Sequence, residues 1–216
     1  MSKAVATPEK ARRGRPPRAL AESRNIRDAL IQAAALEFQE VGYHNTNSNR
    51  IAARAGFAPG TFYNYFADKV DVFSAMYLRW SQEFSLGLRG RLFAKFNDEA
   101  KTARSATKFV ITHRANWYRI WNAAEMLSTT EPRVRFVCRR ARKDASIELL
   151  KLLPGSNPAE ISLTLHQAGS LSSFFASGEA EAVGLSEQDI RSRIEHLFVE
   201  LVSRVPNTVG SADDVY

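Results

Sequence analysis

The chain has 216 residues, 44% of them hydrophobic and 25% charged. That is enough to bury a core without covalent staples, and too apolar for wholesale disorder. One cysteine, Cys138, excludes an intramolecular disulfide framework and a multi-cysteine metal knuckle. No run reaches the ~18 apolar residues that a membrane span requires.

The charge is unevenly placed. Of the net +7, residues 1–25 carry +5, with seven cations against Glu9 and Glu22. Pro8, Gly14, Pro16 and Pro17 oppose a helix there, so 1–25 reads as a flexible basic arm. Such an arm on a near-neutral body points to a polyanion as partner. The first residues are basic and polar, with no apolar stretch before a cleavage site, which is not the pattern of a secretory signal. A cytoplasmic protein is expected.

A first helix is expected after Asn25, which can cap it, with Asp28 at capping-box spacing. Leu30, Ala34, Phe38 and Val41 recur along one face, and Gly42 supplies a stop. The run from His44 to Asn49 consists mostly of short polar side chains that favour caps and turns. A short helix through Ile51, Ala52 and Ala55 is broken by Gly56, and a second short segment runs from Pro59 to Phe66. A third helix starts near Lys69.

The rest reads as helical throughout. Stripes are formed by Phe73, Met76, Tyr77, Trp80 and Phe84, and by Phe109, His113, Trp117, Ile120, Trp121 and Ala124. Val134, Val137, Ala141, Ala145, Leu149 and Leu152 make a third, on a helix that Pro132 opens and Pro154-Gly155 ends. Ile161 to Phe175 and Ile190 to Val205 make the last two, and 207–216 reads as a loose tail.

Two short helices around a glycine turn form a helix-turn-helix, in which the second inserts its N-terminal end into the DNA major groove. Gly56 permits the turn, while Ala58, Pro59 and Gly60 are small enough for close approach. Thr61, Tyr63, Asn64 and Tyr65 offer groups suited to phosphates and base edges.

Residues 26–73 resemble the DNA-binding domain of TetR-type transcriptional regulators. The matching stretches are Ala33-Ala34 through Phe38, Gly42-Tyr43, Ile51 to Gly56, Gly60 to Phe66, and Lys69. The resemblance implies that Thr46 and Asn47 start the first motif helix and touch phosphate, and that Asn49 and Arg50 face the DNA. It implies that Pro59, Gly60, Thr61, Tyr63, Asn64 and Tyr65 lie on the recognition helix, that Lys69 meets phosphate, and that Phe62 and Phe66 are core. Two positions depart from the family pattern. Asn47 stands where a hydroxyl residue is common, and Ser48 where an apolar one is. The serine either loosens local packing or adds a hydroxyl near the DNA backbone.

Arg12 to Arg18 looks like the Gly-Arg-Pro core of an AT-hook, with Arg15 as the side chain for a narrow minor groove. Diffuse attraction to phosphate is the alternative, and either makes binding salt-dependent. Ser105 to Lys108 matches a Ser-x-x-Lys pattern without partner motifs, and His44, His113, His166 and His196 lack metal-ligand spacing. No catalytic constellation is evident, so neither an enzyme nor a cofactor or metal site is expected. His113 and His166, on largely apolar stripes, read as core histidines, with a ligand-pocket contact as the alternative. Cys138 reads as a buried small residue. The six cations between Arg133 and Lys143 read as a solvated helix face, with an anionic ligand head group or a second DNA-facing surface as the alternatives.

The expectation is an all-α protein of about nine helices. Residues 26–73 form the helix-turn-helix domain and 74–206 a helical regulatory and dimerisation domain. The resemblance implies a homodimer pairing the helices near 158–177 and 186–205, with a small-molecule effector in the larger domain. Phe109, His113, Trp117 and Trp121 are the candidate ligand residues. The resulting reading is a repressor released from a near-palindromic double-stranded operator. The alternative is a ligand-independent, weakly specific DNA-organising protein that uses the basic arm.

Overall fold

The computed structural model describes residues 17–93, 98–153 and 156–203. The arm residues 1–16, Arg15 among them, and the tail 207–216 lie outside the described residues, as does Pro154-Gly155. All regular structure described is helical. The ten helices are α1 (Pro17–Val41), α2 (Ser48–Arg54), α3 (Pro59–Tyr63), α4 (Lys69–Phe93), α5 (Glu99–Asn116), α6 (Tyr118–Thr130), α7 (Pro132–Leu150), α8 (Pro158–Ala176), α9 (Glu179–Ala182) and α10 (Glu187–Ser203). None is long and apolar enough to cross a membrane.

The helix boundaries follow local chemistry in most places. Gly42 ends α1 with φ +86°. Asn47 caps α2 by accepting the Arg50 N–H at 3.0 Å, Asp98 caps α5 through the Lys101 N–H, and Asn157 caps α8. Pro132 and Pro158 each occupy a first helical turn, where their missing N–H costs nothing. Ser186 and Asp189 cap α10 reciprocally, Ser186 N–H to Asp189 Oδ2 at 2.8 Å and Asp189 N–H to Ser186 Oγ at 3.2 Å.

Three details differ from the sequence reading. Helix α1 begins at Pro17, not after Asn25, so 17–25 is helix and not arm. Proline is tolerated in a first turn, and Ala19, Leu20, Ala21 and Glu22 are good helix formers. Asp28 is consequently interior to the helix, where it pairs with Arg79 of α4 at 3.2 Å instead of capping. The stripe from Phe109 to Ala124 is split at Trp117, whose φ of −120° and ψ of 23° separate α5 from α6. Helix α9, a single turn, completes the count of ten.

Two apolar clusters organise the molecule. The first joins α1–α3 to the start of α4 and to α6 and α7, around Phe38, Phe62, Phe66, Phe73 and Met76. The second joins the end of α4 to α5, α8 and α10, around Leu88, Val110, Ile161, Ile194 and Phe198. Helix α4 contributes to both. Its 25 residues, at 1.5 Å of rise each, form a rod of roughly 37 Å reaching from the small helices to the larger bundle.

Candidate nucleic-acid interface and regulatory cavity

Helices α2 and α3 are joined by four residues. Gly56, at φ +79°, lets the chain reverse. The Phe57 N–H reaches the Ala52 carbonyl at 2.9 Å and the Gly56 N–H reaches Ala53 at 3.0 Å, which is a Schellman closure. Ile51, Ala52 and Phe62 are fully buried at the helix pair's contact. Helix α2 is tied to α1 by charge: Glu37, only 4% exposed, accepts from Arg50 Nε and Arg54 Nε at 2.8 Å each. Arg54 also pairs with Glu40, which lowers the glutamate's pKa through the hydrogen bond and raises that of the arginine.

The start of α4 is locked to the loop before α2. Lys69 Nζ donates to the Tyr43 and Thr46 carbonyls, at 2.9 Å each, and lies 4.2 Å from the Tyr43 ring centre. Partial burial lowers its pKa from the ordinary lysine value. The neighbouring Asp68 caps α4 through the Asp71 N–H at 2.8 Å. It also takes a two-pronged contact from Arg133 of α7, at 3.2 and 2.8 Å. That hydrogen bond holds the Asp68 carboxyl below its ordinary pKa.

A cavity of about 300 Å³ opens between α4, α6, α7 and α8, with Arg114 of α5 on its wall. Helix α4 supplies Tyr77, Ser81, Phe84 and Ser85, while α6 supplies Trp121, Ala124, Glu125 and Ser128. Cys138, Ala141, Arg142, Ala145 and Ser146 line it from α7, and Ser162, Leu165, His166 and Ser170 from α8. Burial raises the pKa values of Tyr77 and Cys138, which keeps both neutral near pH 7. Two of the helices that wall this cavity also reach the small-helix domain: α4 through Lys69, and α7 through Arg133.

Residues 30–76 match the family model described as bacterial regulatory proteins, tetR family. That segment holds α2 and α3, so the likeness to TetR-family proteins centres on the helix-turn-helix. Among solved structures, a TetR-family regulator from Rhodococcus sp. is similar at 17% identity and TM-score 0.63, over 85% of this chain and 100% of that one. One from Streptomyces coelicolor is similar at 15% and 0.64, over 82% and 80%. The fatty acid degradation regulator FadR from Bacillus halodurans is similar at 16% and 0.60, over 88% and 97%. At such identities the likeness is one of fold. No curated protein matches the sequence. The 30–76 match supports a DNA-binding helix-turn-helix at α2 and α3.

Within this motif the residues singled out from the sequence fall into two groups. Asn49, Pro59, Gly60, Tyr63 and Asn64 are exposed on α2 and α3, with Thr61 and Tyr65 partly so. Tyr63 is 59% exposed, and its hydroxyl meets Ser48 Oγ at 2.8 Å. Ser48 thus steadies the tyrosine hydroxyl. Phe62 and Phe66 are core, as expected. Thr46 corrects the reading. It is 2% exposed, and its hydroxyl donates to the Gly42 carbonyl at 3.0 Å, so this side chain closes the turn and does not face a phosphate. Asn47 is exposed but its carboxamide oxygen is the α2 cap. Arg50 and Lys69 are partly engaged within the fold.

The ligand candidates need a larger correction. Of Phe109, His113, Trp117 and Trp121, only Trp121 lines the cavity. Phe109 stacks on Phe84 at 5.4 Å under the Arg91 guanidinium. His113 packs among Trp80, Phe84 and Phe109 with its Nδ1 unpartnered, and burial together with Arg114 and Arg91 lowers its pKa to about 4. Trp117 packs on Trp80. His166 is exposed at the cavity wall and not in the core. Cys138 is buried as expected. All six cations of 133–143 are exposed. Sequence reasoning passed over Arg114, one residue from His113, because a single arginine on a long helix carries no signal of its own burial.

Proposed function

We propose that this chain acts as a homodimeric repressor of the TetR family. Helix α3 of each copy enters the major groove of one half of a near-palindromic operator, and a small-molecule effector in the cavity releases the DNA. The observation that carries the DNA reading is the division of labour in 59–66. Phe62 and Phe66 are buried to fix the segment, while Pro59, Gly60, Tyr63 and Asn64 stand exposed on it. Thr61, Tyr63, Asn64 and Tyr65 supply donors and acceptors for base edges and phosphates. Asn49, Arg50 and the third N–H of Lys69 add backbone contacts, and Asn47 joins them as the cap at the start of α2. Arg15 and its neighbours extend the contact into the minor groove.

The dimer reading rests on α8 and α10. Leu171, Phe174 and Leu197 line an open groove along these two helices, and Leu163 of α8 is 55% exposed. An apolar face of this kind is what a four-helix bundle between two copies covers. Release by effector rests on shared helices. A ligand that spreads α4 and α7 moves Lys69 and Asp68 with them, and so shifts α3. It does so only by binding the released form more tightly than the DNA-bound form.

The test is to retain fragmented genomic DNA on the purified full chain and sequence what is held. A shared near-palindromic site supports the repressor reading. Retention of A·T-rich DNA with no shared site overturns it in favour of an architectural protein that binds through its arm.

A further inference from the structure

Arg114 is the anomaly of the regulatory bundle. It is 9% exposed, sits on the wall of the 300 Å³ cavity, and has no close carboxylate. Glu125 is 4.0 Å away, at the limit of ion pairing, and its own side chain is 64% exposed to solvent. One guanidinium N–H donates to Ser173 Oγ at 3.1 Å, and the group lies 3.3 Å over the Trp121 ring. Its Nε has no acceptor. A buried cation held by one hydroxyl and one ring is costly to keep, and burial lowers its pKa to about 10, which still leaves it charged near pH 7.

The surroundings make room for it. Gly169 of α8 lies against the guanidinium so closely that a Cβ there would overlap Nη2. Several of the cavity's hydroxyls are already engaged. The hydroxyl protons of Ser81, Ser85 and Ser128 go to carbonyls of their own helices. The Trp121 indole N–H is buried without an acceptor. Arg142 stands at the wall as a second cation, against Glu125 as the one acid. The remaining walls combine aromatic and aliphatic side chains with the hydroxyls of Ser146, Ser162 and Ser170 and the ring of His166.

We propose that the cavity binds a compact organic carboxylate, its apolar body against Tyr77, Phe84 and Trp121 and its carboxylate on Arg114. This rests on the effector reading above and names the chemical class of the effector. Guanidinium–carboxylate contact is the strong form of the hydrogen bond, and it is stronger still away from water. A volume at the low end of ligand pockets selects a small acid over an extended one.

The experiment is thermal unfolding of the full-length protein with benzoate, 3-phenylpropionate and octanoate, each beside its neutral primary amide. The acids raise Tm and the amides do so far less, because losing a charge-assisted hydrogen bond weakens binding roughly 10–100-fold. Arg114→Met removes the difference between acid and amide. It also raises the Tm of the ligand-free protein, since an apolar side chain of similar length replaces a weakly paired buried cation. Arg114→Lys, which keeps the charge, retains the preference for the acid at lower affinity. Acids and amides that stabilise equally overturn the carboxylate assignment and leave the effector reading standing. Failure of every compound to shift Tm overturns the carboxylate assignment alone. A lower ligand-free Tm for Arg114→Met shows the arginine to be structural and also overturns it.

Discussion

Lys69 separates a residue that holds the fold from one that only meets DNA. Its ammonium donates to the Tyr43 and Thr46 carbonyls at 2.9 Å each and faces the Tyr43 ring. Replacing it by methionine keeps the stem and removes both bonds. A hydrogen bond from a charged donor contributes about 1.5–3 kcal/mol, and a cation over a ring about 0.5–1. Water reaches this half-buried site and replaces part of that, so the expected loss is about 2–3 kcal/mol. For a chain of this size that lowers Tm by about 5–10 °C. Circular-dichroism melting of Lys69→Met measures it, and titration of a retained duplex at several salt concentrations measures the DNA term. Loss of a phosphate contact lowers the salt slope by about one. An unchanged Tm with a lowered slope would refute the reasoning, because the ammonium would then serve only DNA.

Tyr63→Ala leaves stability within about 0.5 kcal/mol of wild type, since the side chain is mostly exposed and its one polar partner is Ser48, yet it weakens operator binding; normal affinity by fluorescence anisotropy would remove Tyr63 from the interface. Gly56→Ala costs roughly 1–2 kcal/mol in chemical denaturation, from the positive φ alone, because a Cβ there meets nothing within 4 Å. His113 has a folded pKa near 4 against an ordinary value of 6.5. Between these values the unfolded chain binds the proton and the folded chain does not, so stability is full above pH 6.5 and falls as pH drops toward 4. His113→Phe flattens that part of the stability–pH curve, and an unchanged slope assigns the loss to other groups.

The helix-turn-helix was legible because its signals are local. Gly56 and the aromatic cluster at 62–66 each act within a few residues, and the structure places them as read. The start of α1 was hidden because Pro17 suits a first helical turn as well as an arm. The break at Trp117 was hidden because neither glycine nor proline marks it; packing among Trp80, Trp117 and Trp121 sets it instead. The cavity was the least legible feature. Periodicity assigns faces, so it collected Phe109, His113 and Trp117 as one surface, and these pack against α4 in the core. Arg114 is buried because Gly169, on a different helix, leaves space for it, and no spacing within α5 records that. Thr46 matched the family by position, but its burial depends on the Gly42 carbonyl that accepts its hydroxyl.

The central claim is that α3 reads sequence. The most direct measurement compares the full-length wild type with a Thr61→Ala, Tyr63→Ala, Asn64→Ala triple variant, arm intact. Each is titrated against the retained site and against a scrambled duplex at one salt concentration. The account predicts a preference for the site in the wild type, within the roughly 10³–10⁷-fold range of specific regulators, that collapses in the variant while non-specific affinity persists. An undiminished preference in a folded variant would contradict it and place recognition outside α3.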